Sequence, residues 1–266
     1  AKLLFIQDGG YKKGWIKSDL VKGQTISGVQ ECINRDMPIT WALNPLKIQN
    51  EDDSTGDGIT MNSKQLNELK KHEINHWSFH SYNRQVLSSA TVNEIKEDVE
   101  NSVIWLKQNG FGRVRMRAAH TQNNAKNAFE TKNYMGLKAL ATHTQRTGGF
   151  ETFPFNFRWD FKRVALHGLT KEEITNKFKI LKERKCVMIP YTHKIVHDND
   201  PESQYNMKLS MWNFFLSKVD EGVSEGWLEL VSYDDLEREL SDFGIYDNDE
   251  SIKSAILSEL QRLNGK

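Results

Sequence analysis

One carboxylate and two imidazoles in this sequence have the types and positions expected of ligands to a divalent metal ion. Asp8 ends a short apolar run and is followed by two glycines, while His76 and His80 lie in and just after another such run. A carboxylate with two imidazoles suits zinc or a similar ion and leaves coordination positions open for water. The sequence therefore predicts a metal site formed by Asp8, His76 and His80.

Two further apolar runs end in residues that can bind a substrate or move protons. Arg117 and His120 follow one run, and Tyr191 and His193 end another. Ligand sites of parallel α/β folds form where strands end and loops begin, so we expect these residues to share one site with Asp8. Simpler alternatives stay open: an Asp before Gly is typical of a turn, and a lone histidine after a strand is compatible with the core.

A different metal site is suggested by a motif that overlaps His76. Residues His72–His76 match the H-E-x-x-H signature of zinc metalloproteases, in which both histidines lie on one face of a helix. Here a helix predicted over Ser63–Lys71 ends before the motif, and Ile74–Ser78 has the apolar composition of a strand. The sequence therefore favours the strand over the metalloprotease helix.

Short apolar runs alternate with amphipathic stretches along nearly the whole chain. The predicted strands are Leu3–Ile6, Ile39–Leu43, Ile74–Ser78, Val114–Ala118, Leu137–Thr142, Arg163–Leu166, Val187–Tyr191 and Leu228–Ser232. The predicted helices are Thr25–Arg35, Ser63–Lys71, Thr91–Gln108, Thr170–Arg184 and Ser210–Glu225. Thr91 and Thr170 each precede a glutamate by three residues, the pattern of a capping box. This alternation predicts an α/β fold with a mainly parallel sheet, and seven or eight strands in one series predict a closed barrel.

Three segments have the composition of loops. Asn44–Asn62 is rich in Asp, Asn, Ser and Gly, and Asp242–Glu250 is acidic and precedes a last predicted helix, Ser251–Leu263. Gly148–Trp159 carries several aromatic residues, which either stack on sugar rings or plug the barrel rim.

Composition excludes several classes of function. The 266 residues carry no net charge and show no basic stripe, which argues against a nucleic-acid partner. No apolar run approaches the roughly twenty residues that span a bilayer, so we expect no membrane span. Cys32 and Cys186 are far apart and lack a CxxC neighbour, so we expect both to be reduced. The chain opens into a strand without a signal-peptide pattern, and we expect it to be part of a larger multidomain protein.

Taken in order, these motifs resemble those of the NodB-type polysaccharide deacetylases, carbohydrate esterase family 4, from about Leu3 to Leu240. The family opens on Phe-Asp-Asp-Gly, and its second motif contains two spaced histidines, which His76 and His80 match. Its later motifs include Arg-Pro-Pro-Tyr and a closing strand that ends in histidine. The matching segments here are Phe5-Ile6-Gln7-Asp8-Gly9, His76–His80, Arg117-Ala118-Ala119-His120 and Val187–His193.

The resemblance implies a distorted (β/α)7–8 barrel over residues 1–240, followed by an acidic linker and helix over 241–266. It assigns the divalent metal, with zinc expected first, to Asp8, His76 and His80, and the general acid to His193. Gln7 takes the place of the family's general base, so Arg117, which the resemblance also places among the catalytic residues, lacks its usual carboxylate partner and would contact substrate instead. We further predict substrate contacts from three residues, His120, Tyr191 and Trp159.

The implied activity is metal-dependent removal of N- or O-linked acetyl groups from a cell-surface or cell-wall polysaccharide. Such a substrate indicates an extracellular, cell-surface or virion-associated protein. Gln7 leaves an alternative open, because an amide cannot accept a proton from water near neutral pH although it can still hold a water in place. The alternative is a catalytically impaired module that binds glycans on the same scaffold.

Overall fold

Parallel strands close into a barrel, as the alternation of strands and helices predicts. The computed structural model describes residues 1–56, 58–83, 91–111, 116–119, 139–143, 150–151, 160–203 and 205–242. Strands in this part of the chain are β1 Lys2–Leu3, β2 Phe5–Asp8, β3 Ile39–Leu43, β4 Asn75–Phe79, β5 Met116–Ala119, β6 Ala139–His143, β7 Phe150–Glu151, β8 Asp160–Ala165, β9 Val187–Met188, β10 Pro190–Thr192, β11 Lys194–Val196, β12 Asn206–Lys208 and β13 Glu229–Leu230. The barrel order is β10-β2-β3-β4-β5-β6-β8, with every neighbouring pair parallel, and β8 pairs with β10 to close it.

Helices lie outside the barrel, between the strands. Within the described residues they are α1 Gly28–Ile33, α2 Pro45–Asp52, α3 Ser63–Leu69, α4 Val92–Gln108, α5 Lys171–Arg184, α6 Leu209–Ser224 and α7 Tyr233–Asp242. Capping boxes are present at Thr91 and Thr170, where each threonine accepts from the backbone N–H three residues on. Both predicted helix starts are therefore confirmed, because these side chains satisfy N–H groups that a helix leaves without partners.

Alternation along each strand sends one set of side chains into the barrel and the other towards the helices. In β2, Phe5 packs against Trp15 and Trp212, with ring centroids 5.7 and 5.6 Å away, in the layer under the helices. Leu4 and Ile6 belong instead to the buried cluster that fills the barrel interior. Asp8 continues the inward-facing series at the carboxyl end of the strand, which follows from the period of two in a strand.

The amino end of the barrel is covered by residues near the end of the described chain. Tyr233 and Leu236 belong to the same buried cluster as Leu4, which directly precedes β2, and Val187, the first residue of β9. Helix α7 therefore closes this end, and the carboxyl end remains the face where a ligand site forms.

One loop prediction, Asn44–Asn62, is wrong in its first half only. Asn44–Asn62 contains α2, which begins with Pro45 in its first turn and buries Ile48 completely. The polar composition favours a loop, but proline is well suited to the first turn of a helix and Ile48 anchors the segment on the core.

Further expectations concern the cysteines, a membrane span and the later loops. Cys32 and Cys186 are both buried and not disulfide-bonded, as expected. Within the described segments, no helix combines the length and apolar character needed to cross a bilayer. Most of Gly148–Trp159 and the whole of Ser251–Leu263 lie outside the described residues.

Candidate functional site

Asp8 lies at the centre of a cluster of charged and polar side chains at the carboxyl end of the barrel. It is 1% exposed, and its Oδ2 is 2.9 Å from Nη1 of Arg163. Nδ1 of His80 is 3.5 Å from its Oδ1, and Nε2 of His193 is 3.5 Å from its Oδ2. Burial opposes ionisation, but the guanidinium and the two imidazoles outweigh it and hold the pKa of Asp8 well below its usual value. Asp8 is therefore ionised at neutral pH.

Two glycines turn the chain immediately after Asp8. Gly9 and Gly10 have φ of 86° and 65°, in the left-handed region that favours glycine. A Cβ at Gly9 would lie 2.7 Å from the ring of Tyr11. The Asp-Gly-Gly sequence thus lets Asp8 end the strand inside the barrel while Tyr11 folds back over the site.

Arg163 is the counter-charge of Asp8 and is itself 1% exposed. Its guanidinium carbon lies 4.1 Å from the centroid of the Tyr191 ring, a cation–π contact inside the barrel. Burial raises the pKa of Tyr191, so its hydroxyl stays protonated. The structure therefore places Tyr191, a predicted substrate contact, beneath Arg163, with its ring 3% exposed.

His193 follows β10 and is surrounded by aromatic rings. The rings of Tyr205, His167 and Tyr11 have centroids 5.0, 5.4 and 5.7 Å from that of His193. Its backbone carbonyl accepts a hydrogen bond of 2.7 Å from Nε1 of Trp15. These contacts fix the imidazole beside Asp8 while leaving it near the rim of the barrel.

Gln7 does not face the interior. It is fully buried, its Nε2 donates to the carbonyl of His193 at 2.7 Å, and its Oε1 accepts from the N–H of Gly10 at 3.0 Å. Because Gln7 and Asp8 are adjacent in a strand, their side chains lie on opposite faces of β2. The position of Gln7 gives no support to the predicted contact with a reacting water; the side chain instead joins two backbone segments of the site.

The predicted metal set is not assembled, because His76 lies too far towards the amino end of β4. Asp8 pairs with Ala42, which pairs with Ser78, so His76 lies one inward-facing position below that level and His80 one above it. Nδ1 of His76 is 3.9 Å from Oδ2 of Asp234, near the covered end of the barrel, and burial lowers its pKa.

The reason for this correction is the strand itself. Residues four apart are neighbours on a helix, but along a strand they are about 13 Å apart. The same fact removes the metalloprotease alternative, because β4 begins at Asn75 and the preceding residues 72–74 form turns.

Asp8 and His80 have a separation that suits two ligands of one metal ion. Ligands bonded at about 2.0–2.1 Å in tetrahedral geometry lie a little over 3 Å apart, close to the 3.5 Å between Oδ1 of Asp8 and Nδ1 of His80. Oδ1 of Asp8 is buried and makes no hydrogen bond to any residue that the structure describes. Among the described residues, however, no group of three His, Cys, Asp or Glu side chains is arranged to hold a metal. The remaining ligands would be water or groups outside these residues.

For three other predicted site residues, the structure describes no side-chain position. The backbone of Arg117 lies in β5, where it pairs with Phe79 and Leu140. His120 and Trp159 lie outside the described residues.

Sequence reasoning missed several residues of the cluster. Arg163 lies within a predicted strand, and nothing in its sequence context showed that its long side chain would reach Asp8. His167, Tyr11 and Tyr205 carry no motif. Asn44, one residue beyond β3, was detectable by the same rule that identified Asp8, because it is a polar residue directly after a buried strand.

Comparison with known proteins identifies the fold. No protein-family model and no curated protein matches the sequence. Puue allantoinase superimposes with a TM-score of 0.58 over 92% of this chain and 91% of that chain, at 10% identity. A family 4 acetyl xylan esterase from Clostridium thermocellum, in complex with a cobalt ion, superimposes with a TM-score of 0.52. The match covers 92% of this chain and 93% of the esterase chain, at 10% identity. The Bc1960 peptidoglycan N-acetylglucosamine deacetylase superimposes with a TM-score of 0.54. The match covers 88% of this chain and 87% of the deacetylase chain, at 9% identity.

The chain has the NodB-type polysaccharide deacetylase fold. The predicted (β/α)7–8 barrel is thereby confirmed, and the similarity extends over nearly the full length of both chains in each comparison. At 9–10% identity it establishes the deacetylase fold and not the reaction, and an allantoinase shares that fold.

Proposed function

We propose that this protein hydrolyses acetyl groups on a polysaccharide. The observation that carries the proposal is the cluster around ionised Asp8, in which His80 and His193 approach opposite oxygens of one buried carboxylate. This cluster lies at the carboxyl end of a deacetylase-type barrel, where such folds place their sites. The structural similarity to a family 4 acetyl xylan esterase and to a peptidoglycan N-acetylglucosamine deacetylase supports this class of substrate.

Asp8 and His80 are the residues that would hold a divalent ion, with zinc the first candidate. The ion would polarise the acetyl carbonyl and acidify water. Arg163 keeps Oδ2 of Asp8 occupied at 2.9 Å, so Oδ1 is the oxygen presented to a cation. The cobalt ion in the Clostridium thermocellum esterase supports divalent metal as the class of cofactor.

His193 is the residue placed to exchange a proton with the leaving group. Its Nε2 is 3.5 Å from Oδ2 of Asp8, and an ionised carboxylate stabilises a neighbouring imidazolium. Tyr11 and Tyr205, whose ring centroids are 6.4 Å apart, lie beside the imidazole. Aromatic rings at this rim would stack on the sugar and orient the acetyl group towards Asp8.

A glycan-binding module without turnover is the second candidate. It is favoured by Gln7, whose amide is engaged with backbone groups and cannot act as a base. Either activity would place the protein where acetylated polysaccharides occur, at a cell surface, in a cell wall or on a virion, as part of a larger multidomain protein.

Acetate release separates the two candidates. The purified protein would be incubated with zinc and tri-N-acetylchitotriose or acetylated xylo-oligosaccharides, and acetate would be measured. The Asp8→Asn variant, checked for folding by circular dichroism, is the control. The hydrolase proposal expects release that depends on zinc and is lost in the variant. Saturable sugar binding by the wild type with no acetate above the Asp8→Asn level would contradict it and establish the binding module.

A further inference from the structure

Asn44 lies at the carboxyl end of the barrel, between the strands that carry Asp8 and His80. Its backbone is extended (φ −112°, ψ 95°), so the alternation of β3 continues through it and puts it on the same face as Thr40 and Ala42. Ala42 belongs to the interior cluster. The backbone N–H of His80 donates to the carbonyl of Leu43, which places Asn44 level with His80 across the β3–β4 pair.

The side chain of Asn44 is completely buried and makes no hydrogen bond. It is 0% exposed, and neither Oδ1 nor Nδ2 has a partner among the residues that the structure describes. Burying a primary amide in this state is costly, and proteins rarely tolerate it without a reason. An external group that both donates and accepts hydrogen bonds would remove the cost.

The side chain of Asn44 does not cap the helix that follows it, although its position would allow this. It is the N-cap of α2, where asparagine is among the best capping residues, yet its side chain makes no capping hydrogen bond. Asn62 in the equivalent position of α3 does cap, with Oδ1 accepting from the N–H of Gln65 at 2.9 Å. The contrast shows that the Asn44 side chain is not used to cap its own helix.

Further buried polar atoms without hydrogen bonds occur on the neighbouring strands. Oδ1 of Asp8 and Oγ of Ser78 are both buried and make none, and Ser78 pairs with Ala42, as Asp8 does. Three adjacent strands thus present unsatisfied polar atoms at one end of the barrel. A polar ligand entering at this end would offer these atoms hydrogen-bond partners.

We propose that Asn44 is a ligand-binding residue of this site and that it selects an acetamido group over an acetyl ester. An acetamido group offers one N–H donor and one carbonyl acceptor, which match Oδ1 and Nδ2 of Asn44. An acetyl ester offers no donor and would leave Oδ1 buried without a hydrogen bond, and sites built on such a bond reject analogues that lack it. The proposal rests on the proposed function only for the identity of the ligand as an acetylated sugar.

The test compares Asn44→Leu with Asn62→Leu. Leucine has nearly the shape of asparagine without the buried amide, so Asn44→Leu is expected to raise the midpoint of thermal unfolding. The same variant should bind tri-N-acetylchitotriose about tenfold more weakly, or not measurably, by isothermal titration calorimetry. Asn62→Leu removes a capping bond at the start of α3, and Asn62 is not part of the Asp8 cluster, so this variant should lower the midpoint and leave binding unchanged.

The outcomes are separable from those of the proposed function. Wild-type protein should bind tri-N-acetylchitotriose about tenfold more tightly than acetylated xylotriose. A lowered midpoint in Asn44→Leu, unchanged sugar binding, equal affinity for the two sugars, or no binding of either would overturn the proposal. Binding of the chitotriose that depends on Asn44 without acetate release would support Asn44 and contradict only the hydrolase.

Discussion

At the scale of single residues, the Asp8–Arg163 pair decides the character of the site. Both side chains are 1% exposed, and the guanidinium is held on the ring of Tyr191. A buried charge is tolerated when its counter-charge is close, and removing one partner leaves the other uncompensated. Asp8 therefore owes its ionised state first to Arg163, with His80 and His193 contributing in the same direction.

Removing Arg163 is expected to destabilise the fold strongly. Arg163→Met should lower the free energy of unfolding by about 3–5 kcal/mol, because Asp8 remains buried without its counter-charge. Urea denaturation measures this change. The double variant Asp8→Asn with Arg163→Met removes both charges and should recover much of the loss. Equal losses in the single and double variants would show that the cation–π packing, and not the charge, accounts for the effect.

Asp8 also predicts how stability depends on pH. Its pKa is lower in the folded protein than in the unfolded chain, where it is about 3.9, so its ionisation stabilises the fold above that value. This contribution is fully present above about pH 5 and is lost as the pH falls towards the folded pKa. The difference in unfolding free energy between wild type and Asp8→Asn, measured by urea denaturation, should therefore shrink below about pH 4. A difference that stays constant down to pH 2.5 would contradict this assignment.

The sequence located part of this site by one rule, that polar residues at strand ends converge. The rule brought Asp8, His80 and His193 together correctly, because adjacent parallel strands end at the same edge. It failed for His76, which lies inside a strand rather than at its end. It could not find Arg163, because the reach of a long side chain within a barrel depends on the strands that surround it.

At the scale of elements, local signals in the sequence predict where helices begin more accurately than they predict strands. The capping box at Thr170 sets the beginning of α5, and Glu173 donates its N–H to the threonine hydroxyl at 3.1 Å. By contrast, α2 was hidden by its polar composition, and short strands such as β11 and β12 exist only because they pair with each other. Pairing between strands is not a local property, so the sequence does not reveal it.

Loss of the capping box at α5 should have a modest and specific cost. Thr170→Ala removes the acceptor for the N–H of Glu173 and should lower the unfolding free energy by about 1 kcal/mol. Thr175→Ala in the same helix is the matched control, since its hydroxyl donates only to the carbonyl of Lys171 within the helix. Alanine at that position should be neutral or slightly stabilising. Equal destabilisation in both variants, measured by urea denaturation, would argue against the cap.

At the scale of the whole molecule, barrel closure creates the site. Asp8 comes from β2, Arg163 from β8 and His193 follows β10, and these strands are neighbours only because β10 pairs with both of the others. The alternation of strands and helices predicted a closed barrel, and the structure confirms it. Which strand ends would face each other could not be read from the sequence, because the register of each pair is set by packing across the whole barrel.

The two ends of the barrel also differ in a way that only the complete fold shows. Helix α7 covers the amino end, where His76 lies 3.9 Å from Asp234, while the carboxyl end holds the Asp8 cluster. His76 and His80 are four residues apart in the sequence, but their side chains therefore lie towards opposite ends of the barrel. The proposed site requires that separation, with His80 in the site and His76 outside it.

The most direct test compares acetate release by His80→Ala and His76→Ala in the presence of zinc. With tri-N-acetylchitotriose as substrate, we expect His80→Ala to lower kcat/KM at least about a hundredfold, because it removes a side chain that contacts Asp8. His76→Ala should stay within about threefold of the wild type, since its side chain faces the covered end of the barrel. Equal losses in both folded variants, or a loss only in His76→Ala, would contradict the site described here.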